Sequence, residues 1–285
     1  MRILITGAKG LVGTALARHC SAGGDAVISY DHKGLDITDA GAVESVILNE
    51  RPEAIINCAA WTDVDGCETN SEKARQSNAL GPENLARAAL KANAAFITIS
   101  TDYVFDGEKE GFYTQRDQPR PISVYGHSKL EGERRAQEAN ARTIVVRSGY
   151  IFGPAGKNFL STVVSRAQRG EKLTAIVDYW GTPTYGGDLA VRLRELAAMD
   201  LPGVYHVVNS GEGASFETFT REALRLAGLD SDTLAVVSGS DLNRPAPRPR
   251  NSRLKCLLSE AIGLPPLPPW HEALARFLST DYTDS

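Results

Sequence analysis

Only four cysteines occur in the 285 residues, Cys20, Cys58, Cys67 and Cys256, with no CxxC pair, and the five histidines show neither HxxxH nor HExxH spacing. Metal sites and redox pairs depend on such spacings, so the sequence predicts reduced thiols and no metal site. No apolar run approaches the ~20 residues that cross a bilayer. The first apolar stretch is only strand-length and lacks the basic, apolar, small-residue order of a secretory leader. The expectation is a cytoplasmic protein with no membrane contact. Positive charge is not in excess either: 31 Lys and Arg face 35 Asp and Glu, for a net charge of −4, and no basic stripe is interleaved with aromatics. Nucleic acid is therefore a poor partner. Internal repeats and low-complexity segments are also missing.

What is present is enough apolar content, 42%, to bury a large core with room for a smaller second unit. Apolar strands are expected at Arg2 to Thr6, Asp25 to Tyr30, Glu53 to Cys58, Ala94 to Ser100 and Thr143 to Arg147, with helical stretches between them. Such alternation implies parallel strands joined by right-handed crossovers. The predicted fold is α/β, a Rossmann-type doubly wound parallel sheet with helices on both faces and a smaller C-terminal substrate-binding subdomain. Residues 1–149 would form the dinucleotide-binding domain, with a later stretch, about 176–208, returning to it, and 150–285 the mainly substrate-binding, discontinuous region. That second region has a strand-like Gly203 to Val208, a helix from Phe216 to Ala227 and the proline-rich "LPPLPPW", Leu264 to Trp270. The last could be a polyproline ligand, but a rigid connection into the final helix is favoured.

The cradle for a dinucleotide comes first in the chain. A strand ends at Thr6, Gly7 to Gly10 turns, and Leu11 to Cys20 has helical apolar spacing. A helix starting there aims unpaired N–H groups and the positive end of its dipole at the turn, which favours a pyrophosphate. Gly7 suits a tight turn, Gly10 a close backbone approach to phosphate, and Gly13 close packing of the helix on the sheet. Asp31 stands about 20 residues further on, where a ribose-binding acid is required. Ala59 and Ala60 would let backbone lie along the nicotinamide half of a cofactor, with Thr62 nearby for a ribose or phosphate hydrogen bond.

The chemistry is expected at the carboxyl ends of the strands. There "STDYVF", Ser100 to Phe105, supplies Thr101 to donate to a carbonyl oxygen, and Asp102 and Tyr103 to bind hydroxyls of a polar substrate. Tyr125 and Lys129, four apart at the start of a predicted helix from Tyr125 to Asn140, share one face. A free phenol has a pKa of about 10, and a nearby ammonium and a positive nicotinamide ring would stabilise its phenolate. The expected catalytic set is Thr101, Tyr125 and Lys129, with Lys129 also holding the nicotinamide ribose.

In these motifs the chain resembles the extended short-chain dehydrogenase/reductases, and within them the dTDP-4-dehydrorhamnose reductase family. The resemblance runs through "GAKGLVG", "LDITD", "INCAAWTDVDGCE", "STDYVFDG", "YGHSKLEGE", "GKNF", "GTPTYGGDLA", "GVYHVVNSG" and "RPAPRPRNSRL". It implies reduction of the C4 ketone of a dTDP-4-keto-6-deoxyhexose with NADPH or NADH. It assigns Gly10, Leu11 and Val12 to the phosphate turn, Asp31 to the acid after the second strand, Asp36 and Ile37 to the adenine side, and Ala59, Ala60 and Thr62 to the cofactor's flank. Thr101 and Asp102 become substrate contacts, Tyr125 the proton donor and Lys129 its electrostatic partner. Of the arginines Arg244, Arg248, Arg250 and Arg253, whose planar forks suit diphosphate, Arg248 and Arg253 match the family best.

Two positions depart from the family. Ser148, Gly149 and Tyr150 stand where it usually has Thr-Ser-Trp, so a phenol replaces an indole near the sugar, and Leu11 replaces a polar residue after Gly10. Tyr150 becomes a candidate substrate contact and keeps open a reductase or epimerase of a different nucleotide sugar. A non-catalytic regulatory subunit, resembling that of methionine adenosyltransferase, is the reading from another class. The intact Thr101, Tyr125 and Lys129 speak against it. The partner expected is a small nucleotide sugar, and a homodimer is allowed for. Asp31 would repel a 2′-phosphate that Lys33 could neutralise, which leaves NADH and NADPH both open.

Overall fold

The computed structural model describes residues 1–232 and 234–280. The first half runs β1 (Arg2–Thr6), α1 (Leu11–Ala22), β2 (Ala26–Tyr30), α2 (Ala40–Glu50), β3 (Ala54–Asn57), α3 (Val64–Thr69) and α4 (Ser71–Arg75). A π turn (Gln76–Leu80), α5 (Gly81–Ala92), β4 (Ala95–Thr101), α6 (Val124–Ala139) and β5 (Thr143–Ser148) complete it. The second half has shorter pieces: β6 (Ile151–Phe152), α7 (Phe159–Gln168), β7 (Thr174–Ile176), β8 (Trp180–Gly181), β9 (Thr184–Tyr185), α8 (Gly186–Met199) and β10 (Gly203–His206). β11 (Asn209–Ser210), β12 (Ala214–Ser215), α9 (Phe216–Leu226), β13 (Ala235–Val237), β14 (Leu267–Pro269) and α10 (Trp270–Thr280) follow. Strand and helix ends differ from the sequence expectation by a residue or two.

The central sheet has the order β10-β5-β4-β3-β1-β2, and every pairing is parallel. Chain direction across the sheet reverses between β1 and β3, which opens a crevice at their carboxyl ends. Side chains alternate across each strand and both faces are covered, so the strands read as unbroken apolar runs. Ile3, Ile5, Ile56, Ile97 and Val146 pack on α1 and α8 through Leu16, Leu189 and Leu193. Leu4, Ile55 and Phe96 face the opposite layer, where Val43 and Ile47 of α2, Leu85 of α5 and Ala136 of α6 close over them. Thus α8 and β10, late in the sequence, belong to the sheet layer.

A second core, rich in aromatics, joins α7, α9 and α10 through Phe152, Leu160, Phe219, Trp270 and Phe277. "LPPLPPW" is a connector here: β14 pairs with β11, and α10 begins at Trp270. Among the described residues, no helix is long and apolar enough to cross a membrane.

Candidate active site

Polar groups at the strand ends set the floor of the crevice. Thr6 Oγ1 donates to Asn57 Oδ1 (2.7 Å), Asn57 Nδ2 donates to Thr98 Oγ1 (3.1 Å), and the Ala59 N–H returns to Asn57 Oδ1 (3.1 Å). This satisfied buried network turns the chain sharply after β3. Gly7, at φ +66, abuts that turn so closely that a Cβ would lie 2.6 Å from the Ala59 nitrogen. Any larger residue would push the two turns apart. Gly10 is the N-cap of α1 and offers no side-chain cap, so the first-turn N–H groups face the crevice unclaimed by the protein's own side chains.

Two adjoining cavities, about 480 and 700 Å³, share Gly10, Cys58, Ala59 and Ala60 and form one groove. The larger contains Gly7, Asp31, Asp36 and Ile37. Asp31 pairs with Lys9 (2.5 Å) and accepts from the Gly34 N–H, and these contacts hold its carboxyl below the ordinary range. Asp36 ties down its own turn by accepting from the Thr38 N–H and hydroxyl. The smaller cavity gathers Leu11, Val12, Thr62, Thr101, Asp102, Tyr103, Tyr125, Lys129 and Tyr150.

Tyr125 enters on the first turn of α6, which Ser123 caps by accepting from the Gly126 N–H. Thr101, Tyr125 and Lys129 are only 5, 9 and 4% exposed. Burial raises the Tyr125 phenol well above its ordinary value, and hydrogen bonding with Thr101 draws it partly back. Asp102 and Tyr103 raise it further, and Lys129 is not among the principal influences. Burial, and not the lysine, thus governs the phenol here, and the Lys129 ammonium donates to the Ile99 carbonyl (2.7 Å). Burial brings Lys129 down to about 8, against the opposing pull of Glu133.

Asp102 is buried and its carboxyl is pushed up to about 6 by desolvation, while the Ser252 and Thr101 hydroxyls hold it back. Ser252 Oγ donates to Asp102 Oδ2 (2.5 Å) and Thr101 Oγ1 to Oδ1 (3.1 Å). The carboxyl fills the place where a side chain on Gly149 would be: a Cβ there would lie 2.3 Å from its Cγ. The glycine in the departing Ser148, Gly149, Tyr150 segment thus makes room for Asp102. Tyr150 sits at φ +48, donates to the Tyr179 carbonyl (3.1 Å) and packs at 4.7 Å from the Phe216 ring.

Arg248 and Arg253 do not line either cavity. Arg248 is held by Asp65 through two bonds of 2.9 and 2.8 Å, close enough to Tyr103 to act on it electrostatically. Arg253 lies over the Phe112 and Trp180 rings and donates to Asn251 and to the Glu212 carbonyl.

Several residues that sequence reasoning passed over complete the site. Asn78, in the π turn, donates to Ser128 Oγ (3.1 Å) on α6 and bonds both the N–H and the carbonyl of Trp61. It fixes the helix of Tyr125 against the loop that follows β3, as π turns often do at functional sites. Ser252 and Phe216 arrive from the second half of the chain, and no local pattern couples them to Asp102 or Tyr150.

A doubly wound parallel sheet, a glycine turn feeding an uncapped helix, and a threonine, tyrosine and lysine gathered beside it define a nicotinamide-dependent oxidoreductase of the Rossmann class. The chain belongs to the family described as RmlD substrate binding domain, whose model matches residues 1–283. It is similar to the dTDP-4-dehydrorhamnose reductase of Mycolicibacterium smegmatis, at 37% identity over 96% of this chain and 84% of that one. Among solved structures, a dTDP-4-dehydrorhamnose reductase from Clostridium acetobutylicum superposes with a TM-score of 0.94 at 35% identity, covering 100% of both chains. The Bacillus anthracis enzyme of that name, in complex with NADP, gives 0.94 at 33% identity over 100% of this chain and 99% of that one.

Proposed function

We propose that the groove reduces the C4 ketone of a dTDP-4-keto-6-deoxyhexose, dTDP-4-dehydro-L-rhamnose to dTDP-L-rhamnose, with NADPH or NADH. The observation that carries the reading is the convergence of Thr101, Tyr125 and Lys129 in a groove whose other end is the uncapped α1 N-terminus. Relatives of the same family, 33 to 37% identical and named for this reaction, support it.

The residues fit the cofactor: the Gly7 to Gly10 turn and α1 N–H groups suit its diphosphate, Asp31 a ribose diol, and Lys129 the nicotinamide ribose. When bound, the reduced nicotinamide supplies a hydride. Tyr125 gives its phenol proton to the ketone oxygen as that oxygen becomes an alkoxide. A phenol raised by burial is fully protonated at neutral pH, which is the form a ketone reductase needs. Lys129, still charged below about 8, favours the phenolate left behind. Thr101 steadies the same oxygen, and its single proton must leave Asp102 to do so. Such acid catalysis contributes ~10²–10⁴-fold, and orientation in a water-poor groove must supply much of the rest.

In this reading residues 1–149 with the returning α8 and β10 hold the cofactor, and the later region holds the sugar nucleotide, Asp102, Tyr103 and Tyr150 facing the hexose. Arg248 and Arg253 serve the diphosphate only if they leave their present partners. The enzyme works in the cytoplasm, without nucleic acid or membrane as partner, and a homodimer is the assembly to look for.

The test is loss of reduced-nicotinamide absorbance on mixing with freshly generated dTDP-4-keto-L-rhamnose, NADPH and NADH separately. Rapid oxidation with dTDP-L-rhamnose as product supports the reading. Cofactor binding without oxidation moves it to another ketosugar, the alternative that Tyr150 favours.

A further inference from the structure

Behind the catalytic lysine lies an ion pair that the proton and hydride steps do not use. Glu133 stands one turn after Lys129 on α6, and both are buried. Its Oε1 accepts from the Ser100 hydroxyl and from Arg147 Nε (2.9 Å), and its Oε2 from Arg147 NH2 (2.6 Å). Ser100 precedes Thr101 on β4, and Arg147 is paired with Ser100 in the sheet register on β5. One carboxylate therefore joins the three elements that carry Thr101, Tyr125 with Lys129, and the Ser148 to Tyr150 segment.

We propose that Glu133 is a positioning residue: its bonds to Ser100 and Arg147 fix α6 against the β4 strand end, and it stands as a buried carboxylate one helical turn from the Lys129 ammonium. A buried ion pair is weak evidence for stability, because desolvation offsets much of its attraction. Its placement here, between a buried lysine and the strand bearing Thr101, gives it a role in the site instead. The groups acting on Lys129 from the surrounding elements are few. Glu133 lies on its own helix, and Cys58 comes from the turn after β3, its thiol pushed up to about 12 by burial and so neutral. Arg147 reaches from β5 to pair with Glu133, which moderates that carboxylate's pull on Lys129 without removing it. Tyr125, one turn back, is neutral across the working range. Glu133 is thus the anionic counterweight to the burial that depresses Lys129.

The inference rests on the proposed role of Lys129, and its test separates the two. In protein labelled with ¹⁵N-lysine, the side-chain titration of Lys129 is followed by NMR and identified by its loss in Lys129→Gln. Wild type should titrate near 8, and Glu133→Gln about one pH unit lower. The Glu133→Gln/Arg147→Met pair, which leaves no unpaired guanidinium, should move the same way by a smaller amount, because an opposing cation leaves with the carboxylate, and serves if the single variant does not fold. An unmoved midpoint in the variant that folds overturns the inference. Turnover measured beside it tests the underlying reading: an alkaline fall that ignores the Lys129 midpoint overturns the role of Lys129, whatever Glu133 does to that midpoint.

Discussion

The two ends of the groove are built on opposite physical terms. At the Asp31 end, that acid pairs with Lys9, whose side chain is 83% exposed, and the carboxyl is lowered by ordinary surface contacts. At the other end Asp102, Tyr125 and Lys129 are buried, and desolvation heads the causes of every shift. Surface charge suits recognition, because it is cheap to form and screened by salt. Buried charge suits chemistry, because a proton held in a water-poor place costs little reorganisation when it moves. The lesson is that affinity for the cofactor and the rate of reduction should respond to different residues.

The sharpest break between the ends comes from Tyr125→Phe. Turnover should fall ~10²–10⁴-fold, the span of general acid catalysis, while NADPH affinity measured by fluorescence stays nearly that of wild type. Equal losses in both would erase the distinction. Stability gives the next largest effect. Burial brings Lys129 down to about 8 in the folded protein from an ordinary 10.5. The unfolded chain binds the extra proton between those values, so wild-type stability rises with pH across that window. Lys129→Met should lack this rise, and urea unfolding should show the two proteins' difference changing by about 3 kcal/mol across it.

Smaller in size is the acid side of the rate profile. Asp102 is raised to about 6, so below that pH it protonates, weakens its hold on Ser252 and becomes a poorer acceptor for a hydroxyl of the hexose it is proposed to face. kcat/KM should decline below pH 6, and Asp102→Asn should flatten that limb at a level lower by about tenfold. At the opposite end of the groove, Asp31→Asn should shift preference from NADH toward NADPH by only a few-fold, with a clear salt dependence. An effect on turnover from that exposed acid would blur the contrast between the ends.

The parallel sheet, the glycine turn and the Tyr125, Lys129 pair were legible because each rests on a local rule: strand alternation, a turn that needs glycine, side chains one helical turn apart. Asp102 was legible as a polar residue at a strand end, but its burial was not, since Ser252 approaches it from 150 residues away. The surroundings of Tyr125 were legible only in part, for a related reason. Spacing placed an ammonium near the phenol, and only the fold revealed that Lys129 donates to Ile99 while desolvation governs the phenol. Arg248 illustrates the same limit: a basic string suggested a free anion site, whereas Asp65, far off in sequence, holds that guanidinium.

The central claim, that this groove passes hydride to C4 of a nucleotide-linked ketosugar, is tested most directly with NADPH deuterated at nicotinamide C4, each face in turn. Incubated with dTDP-4-keto-L-rhamnose, one of the two labelled cofactors should yield dTDP-L-rhamnose carrying deuterium on C4 of the hexose. Product without deuterium there from either cofactor, or deuterium at another ring carbon, would contradict the account.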